Sequence, residues 1–345
     1  MKGRVVVLDQ VANRNAAALI VDGRLEDLLI DPDGDVPRVG AIYRGVADRP
    51  VKGQGGIFVK LPHGSGFLRQ ISGITPGQRL LVQVTGPAEP GKATPVTARL
   101  LFKSRFAILT PDAPGLNISR QIKDIDLRDT LSALARDGMA NADAQLGLIL
   151  RSACAEAEAD AIAEDIAAMR GLAEAVLADL AGPPELLVDG PDAHDMAFRD
   201  WLDPAVDEMV TDPGGFAAHG VIDLISARRT PRVPLDGGGH MMIEPTRALV
   251  AVDVNTGPDT SPAASLKVNI AAARELPRQL RLRGLGGQVV ADFAPMPKRD
   301  RQILDQVLRA AFKGEAEANL AGWTVLGLYE LTRKRDRLPL ADVVR

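Results

Sequence analysis

The chain has little sulfur, few aromatic residues and no long apolar run. One cysteine, Cys154, among 345 residues excludes an intramolecular disulfide and any zinc cluster built from cysteines. No stretch of about 18 apolar residues occurs, so no membrane-spanning helix is expected. The opening "MKGRVVVLDQVANRN" is charged too early and is too short in apolar length to read as a signal peptide. A cytoplasmic protein is therefore expected. The four histidines, His63, His194, His219 and His240, lie near no nucleophile elbow, which makes a Ser/His/Asp triad hard to assemble. No Gly-Lys-Ser/Thr phosphate loop exists. "GLGG" at 284–287 precedes a strand-like run, whereas a dinucleotide fingerprint follows a strand and opens a helix. Nucleotide-cofactor binding is thus disfavoured.

At this length a single hydrophobic core usually stops growing, so two or more domains are expected. The net charge of −4 conceals an asymmetry. Residues 1–120 carry 16 Lys and Arg against 10 Asp and Glu, residues 121–220 carry 6 against 21, and residues 221–345 carry 19 against 14. Both ends are basic and only the middle is acidic. A pI near 5.7 is therefore compatible with a polyanionic partner.

Apolar periodicity divides the chain into stretches of different character. "RVVVLDQ" and "AAALIVDGRLEDLLID" read as strands, with Asp22-Gly23 as a hairpin turn. Between Val36 and Leu101 come "AIYRGVADR", "GGIFVKLP", "SGFLRQI", "RLLVQVT" and "PVTARLLF", punctuated by Gly and Pro. Five short strands in so few residues suit a small closed barrel of the OB type. Segments 124–137 and 155–181 read as helices, the second with an acidic solvent face, and "QLGLILRSA" between them reads as a buried strand. After Pro234, "GGGHMMIEP", "RALVAVDVN" and "GGQVVADF" are strands. "AASLKVNIAAARELPRQLRLR" and "KRDRQILDQVLRAAFKGE" are helices, with Pro277 a kink or restart point. "WTVLGLYELTRKR" reads as one strand running into a basic end. Strand, helix, strand, helix, strand implies an α/β layer with adjacent parallel strands.

Three constellations could carry chemistry. In "ALVAVDVNTG", positions two apart in a strand share a face, so Asp253 and Asn255 project together while Val252 and Val254 face the core. The next parallel strand ends on Asp292, and a right-handed crossover brings both carboxyl ends to one sheet edge. Two carboxylates and an amide suit Mg²⁺, which prefers oxygen and keeps several waters. With a phosphodiester, such an ion polarises the phosphoryl oxygen and activates water. The alternative is that Asp and Asn simply cap the end of a strand. In the barrel segment, Phe58 and Phe67 either stack bases, with Lys52, Lys60 and Arg69 following the backbone, or fill the interior. Arg151-Ser152, ending "LILRSA", joins a guanidinium to a hydroxyl and can form a phosphate pocket, or decorate the surface.

"GGGHMMIEPTRALVAVDVNTG", "NIAAARELPRQLRLRGLGGQVVADF" and "LGLYELTRKRDRLPL" closely resemble the catalytic half of the ribonuclease E/G family. "AALIVDGRLEDLLID", "VGAIYRGVADR" and "GFL" are similar to its N-terminal strands and OB-type barrel. "ISRQI" and "LILRSA" are similar to its 5′-end sensor. The resemblance implies a mixed α+β and α/β architecture of several subdomains. An RNase H-like subdomain would be split over 1–35 and 184–232, around an OB-type RNA-binding barrel at 36–100 and a sensor-like region at 101–183. A DNase I-like catalytic subdomain would follow at 233–345. The family's metal-holding aspartates fall on Asp253 and Asp292, its neighbouring asparagine on Asn255, and its RNA-contacting phenylalanines on Phe58 and Phe67. Its 5′-monophosphate-sensing Arg-Thr pair falls on Arg151-Ser152.

The resemblance implies a Mg²⁺-dependent endoribonuclease acting on single-stranded RNA and favouring 5′-monophosphorylated ends, with Lys60 and its basic neighbours positioning the strand. The alternative is an RNA-binding protein of the same fold with weak or lost catalysis. The family's paired-cysteine zinc link has no counterpart, so neither zinc nor a zinc-linked dimer is expected, and the oligomeric state stays open. The chain also stops at Arg345, soon after "TRKR", which puts the family's C-terminal small domain in question.

Overall fold

Val, Ala, Leu and Ile dominate the first thirty residues and form an antiparallel meander, Arg4–Val11, Arg14–Val21 and Arg24–Ile30. The expected turn joins the second and third strands, with Asp22 and Gly23 at φ of 50° and 77°, as a two-residue hairpin requires. The structure, a computed structural model, describes residues 3–34, 36–51, 55–69, 73–259, 261–315 and 317–344. Lys52 lies outside the described residues. The chain divides into two units, one comprising Met1–Pro32 with Val210–Arg345 and the other Asp33–Met209.

In the second unit the five short strands close into a barrel. Ile42–Val51 pairs with Gly56–Lys60 and with Arg79–Val84, while Ser65–Arg69 and Thr94–Thr97 complete the ring. A further strand, Glu185–Val188, pairs with Ile42–Val51 from outside the ring. Alternation turns Ile57, Val59, Leu68, Leu80, Val82 and Val96 inward. The same unit holds a four-stranded sheet in the order Leu116–Ile118, Gly147–Leu150, Ala107–Thr110, Phe102–Lys103. Helices Ile125–Gly138 and Ala159–Ala178 share a core with it. On the longer helix, Ile162, Ile166, Ala173 and Val176 are buried, the helical spacing that the sequence pattern implied.

The first unit adds a six-stranded sheet in the order Arg232–Pro234, His240–Pro245, Val250–Asn255, Gly287–Asp292, Tyr329–Arg333, Ala318–Trp323. Only Val250–Asn255 and Gly287–Asp292 are parallel; the other pairings are antiparallel. The expected adjacent parallel pair is present, but the second helix leads to strands that run antiparallel to it, which corrects the expectation for the last strand. "WTVLGLYELTRKR" is not one strand but the end of one and the whole of the next. The chain turns at 324–328, where Gly327 has a φ of 95°, and returns as a hairpin. The helix Pro262–Leu282 runs unbroken through Pro277, which corrects the expected restart. A proline inside a helix removes one backbone hydrogen bond. Here Ala273, Leu276 and Leu280 on the same helix are buried in the sheet core, and tertiary packing carries the helix across the gap.

Part of the basic end of the chain is turned inward. Arg333 is 5% exposed and donates to the Glu315 carboxylate at 3.2 Å and to Asp336 at 3.1 Å. Arg337 pairs through both Nη atoms with the buried Asp27 of the meander. Burial works to raise the Asp27 carboxyl, but Arg337 and then Arg281 outweigh it and hold it below the ordinary value. The Arg337–Asp27 pair ties the C-terminal segment to the meander. Among the described residues no helix is long and apolar enough to cross a membrane.

Candidate functional site

Asp253 and Asp292 are brought together by register. The two strands run parallel, and Asp253 stands directly opposite Asp292, on neighbours separated by about 4.8 Å. Val252, Val254, Val289 and Ala291 alternate with these positions and join the apolar core with Val268, Leu276, Leu304 and Leu308 of the two helices. The aspartates therefore project from the opposite, open face, and both are exposed. Asn255 lies two residues beyond Asp253 on that face, and its Nδ2 donates to Asp253 Oδ2 at 2.8 Å. Neither carboxylate pairs with a cationic side chain among the described residues. Asp292 accepts no hydrogen bond among them either. Two adjacent carboxylates without a counterion form a local charge of −2, which a hard divalent cation would neutralise.

The donor set fits such an ion. No group of three or more His, Cys, Asp or Glu side chains gathers for a metal among the described residues. That composition disfavours an all-protein cage and suits an ion held by one or two carboxylates with water and substrate oxygens completing its shell. Asp253 and Asp292 would hold it. The Asn255 amide restrains the Asp253 carboxylate through their hydrogen bond.

Several residues that sequence reasoning missed fix this geometry. Asn269 of the helix Pro262–Leu282 is fully buried. Its Nδ2 donates to the Ala294 carbonyl at 2.9 Å and its Oδ1 accepts from the Ala294 N–H at 2.9 Å. That reciprocal pair pins the backbone two residues after Asp292. Phe293 anchors the same strand end, packing at 5.9 Å from Trp323 and 6.4 Å from Tyr329. The Tyr329 hydroxyl donates to Asp305 at 2.9 Å, and burial and then that contact hold its pKa well above the phenol range. Gly239 allows a close approach, since a Cβ there would lie 2.3 Å from Val268 Cγ2 and 2.7 Å from the Asn255 carbonyl oxygen. The bland "GGGH" was the available signal for this contact.

On the barrel, Phe58 and Phe67 are cross-strand partners with ring centroids 5.5 Å apart. Ile57, Val59 and Leu68 beside them face inward, so both rings lie half-buried on the outer surface. A shift of register between Ala47 and Pro50 places Asp48 and Arg49 opposite the single residue Phe58. The bulge aims the Arg49 guanidinium over the Phe58 ring, 5.4 Å from its centroid. Lys60 is exposed and lies 3.7 Å from Asp48. Residues 36–100 carry nine Lys and Arg against two Asp and Glu, a surface bias that favours polyanions.

Arg151 and Ser152 are already engaged. Arg151 Nη2 donates to Asp200 Oδ1 at 2.7 Å, and Nη1 donates to the carbonyls of Ser104 at 2.6 Å and Arg199 at 3.0 Å. The Ser152 hydroxyl donates to Asp203 Oδ2 at 2.5 Å. The nearby Cys154 thiol is buried, with its Sγ 3.4 Å from the Phe106 carbonyl oxygen. Burial pushes its pKa up to about 11.

The chain is similar to known proteins along most of its length. The family model described as "Ribonuclease E/G family" matches residues 102–217 and 214–336. Ribonuclease E of Nostoc sp. (strain PCC 7120) is 30% identical over 97% of this chain and 56% of its own length. Ribonuclease E of Synechocystis sp. (strain PCC 6803) is 29% identical over 97% and 57%. Ribonuclease G of Escherichia coli (strain K12) is 24% identical over 98% and 81%. The chain thus spans little more than half the length of the two ribonucleases E. By these matches, the chain belongs to the ribonuclease E/G family.

Proposed function

We propose that this chain is a magnesium-dependent endoribonuclease that hydrolyses single-stranded RNA on the open face of its six-stranded sheet. One observation carries the reading: Asp253 and Asp292 stand in register on the two parallel strands, exposed and without a counterion among the described residues. In this reading the sheet belongs to a DNase I-like subdomain and the meander to an RNase H-like one. A magnesium ion bound there supplies positive charge to the scissile phosphodiester and lowers the pKa of water. The chain's own part is to hold the carboxylates at fixed spacing, which preorganises the site before substrate arrives. The Asn255 amide, bonded to Asp253 through one N–H, keeps its second N–H for a phosphate oxygen.

The barrel supplies a separate function. Phe58 and Phe67 present apolar ring surface to bases, and Arg49 and Lys60 follow the phosphates. Such stacking tolerates sequence, because every base has a π-face. Arg151 and Ser152 are the residues proposed to meet the 5′ end of the RNA, where a preference for a monophosphate would be expressed.

The test is cleavage of a single-stranded RNA with and without magnesium by the native chain, Asp253→Asn, Asp292→Asn and the double variant. The proposal expects cleavage only with magnesium, a loss of at least a thousandfold in each variant, and retained RNA binding. Magnesium-dependent cleavage that survives in the double variant would sink the site assignment. Salt-sensitive binding by the native chain without cleavage at any magnesium concentration would favour the RNA-binding alternative.

A further inference from the structure

One of the four histidines shares a sheet face with the two aspartates. The strand His240–Pro245 runs antiparallel to Val250–Asn255, with His240 directly opposite Asn255 and Met242 opposite Asp253. Met241 and Ile243 are buried in the apolar core. Alternation therefore turns His240 and Met242 to the open face that carries Asp253, Asn255 and Asp292. His240 and Asp253 are diagonal neighbours across the strand pair, about 7–8 Å apart, a span that aromatic side chains can bridge.

Local structure holds this residue in place and leaves its ring unengaged. On its other side His240 faces Pro234, so its two cross-strand neighbours, a proline and an amide, carry no charge. The loop before it is closed by the Leu235 N–H, which donates to the Gly239 carbonyl at 2.9 Å. Gly239 is pressed against Val268 and the Asn255 carbonyl oxygen, which fixes the backbone that carries His240. The imidazole is half-buried and makes no hydrogen bond or ion pair among the described residues; its Nδ1 is buried without a partner. Buried polar atoms are seldom left so, and each exception calls for a reason. Nε2 is the nitrogen left to serve the open face. Because no trio of His, Cys, Asp or Glu gathers for a metal among the described residues, the ring stands beside the proposed ion site and not in it.

We infer that His240 is a catalytic residue of this chain's phosphodiester hydrolysis, giving its Nε2 proton to the oxygen that leaves phosphorus. The inference rests on the proposed site at Asp253 and Asp292 and deepens it. Water attacks phosphorus, the bond to the departing ribose oxygen breaks, and that oxygen keeps the bonding electron pair. The Nε2 proton passes to it, so a neutral hydroxyl leaves. The attacking water gives a proton to solvent, and the ring regains one from solvent. Carboxylates that hold a cation are ionised and have no proton to give, whereas an imidazole can donate one near neutral pH. A positioned donor of this kind contributes about 10²–10⁴-fold in rate.

The experiment measures single-turnover cleavage by the full chain on two single-stranded RNAs of one sequence. One has ordinary linkages; the other carries sulfur in place of the departing bridging oxygen, whose position is read from the ends of the products. A thiol is far more acidic than an alcohol, so a thiolate leaves without taking a proton. His240→Ala should slow the oxygen substrate by about a hundredfold or more and the sulfur substrate by less than about fivefold. The RNA concentration giving half-maximal rate should stay within about twofold of native, the mark of a group that acts on the reacting atoms. His240→Gln keeps an N–H and similar bulk but has no proton to transfer, and should behave as His240→Ala does. Equal losses on both substrates, or native rates in His240→Gln, would overturn the inference, because packing or hydrogen bonding alone predicts them.

A second readout needs no turnover. Proton–nitrogen spectra of the chain labelled at histidine contain four side chains to follow, and His240→Gln identifies the His240 signal. An RNA whose departing oxygen is replaced by a methylene group cannot be cleaved there; in the presence of magnesium it should shift the Nε2 signal of His240. An unmoved signal at saturating RNA would overturn the inference. The two readings fail separately. Cleavage that survives in Asp253→Asn with Asp292→Asn removes the metal-site reading. Loss of cleavage in that double variant, with native rates in His240→Ala on both substrates, removes the role of His240 alone.

Discussion

Asn269 offers the sharpest test of how the fold holds its candidate site. The residue is fully buried, and its amide satisfies both the N–H and the carbonyl of Ala294 at 2.9 Å. Asn269→Ala removes both bonds and leaves two backbone groups unpartnered beside a residue that is itself 4% exposed. Each orphaned buried group costs about 1–3 kcal/mol, so a loss of roughly 2–6 kcal/mol is expected. For a domain of about 150–250 residues, each kcal/mol lowers Tm by about 2–4 °C. Scanning calorimetry should therefore show the transition of this unit about 4–24 °C lower. Ala294 follows Asp292 by two residues, so the carboxylate loses its fixed position as well. Small displacements of a reacting group cost up to about a hundredfold in rate. The expected signature is a fall in kcat with an unchanged affinity for RNA. Melting within about 1 °C of the native chain, with native kcat, would refute the claim that this amide positions the strand end.

Three further outcomes follow from the same reasoning. Phe58→Ala or Phe67→Ala should weaken single-stranded RNA binding by roughly tenfold, the loss of one stacked base, while Tm stays close to native, because both rings lie on the outer surface; a titration by anisotropy reads this. Asp27 has its folded pKa depressed below the ordinary 3.8, so its contribution to stability is complete above that value and is lost as pH falls through the folded pKa. Thermal melts should drop steeply below about pH 4, and Asp27→Asn should flatten that slope while costing about 3 kcal/mol at neutral pH, since the half-buried Arg337 loses its ion pair. Cys154, buried and with its pKa pushed up to about 11, should react with a thiol-disulfide reagent at pH 8 only after denaturant is added; rapid native labelling would show that the 3₁₀ turn holding it opens.

The parts of the site legible in the sequence were those governed by local period. Asp253 and Asn255 share a face because strand residues alternate, and Asp292 joins them because a helix between two strands makes the pair parallel. The barrel was legible for the same reason, as short alternating runs separated by Gly and Pro. What stayed hidden depends on partners distant in sequence. Nothing in "SLKVNIAAAR" separates Asn269 from a polar residue on an exposed helix face, since its partner Ala294 lies 25 residues away. Arg49 could not be placed over Phe58, because the bulge that aims it exists only in the pairing of two strands. "TRKRDR" read as a basic end, yet Arg333 and Arg337 are paired in the interior with Glu315 and Asp27. The final turn went the same way: a run broken at Gly327 read as continuous, because Val325 and Leu326 are apolar although both are almost fully exposed.

Arg151 shows why a motif and its occupancy are different questions. The pair Arg151-Ser152 sits at the end of Gly147–Leu150, as the pattern implied. Its partners, however, are Asp200 and Asp203, 49 and 51 residues downstream. An arginine can serve a phosphate only with N–H groups to spare, and a buried guanidinium usually has its charge already answered. The open face of the six-stranded sheet shows the reverse. Asp253 and Asp292 have no answering cation among the described residues, and burying them would require one. Both helices pack on the opposite face, with the apolar core. An exposed carboxylate without a protein cation is free to take a ligand, and an arginine already paired is one for which a ligand must compete. By that measure the proposed metal site is open to a cation, while Arg151 already has a carboxylate partner.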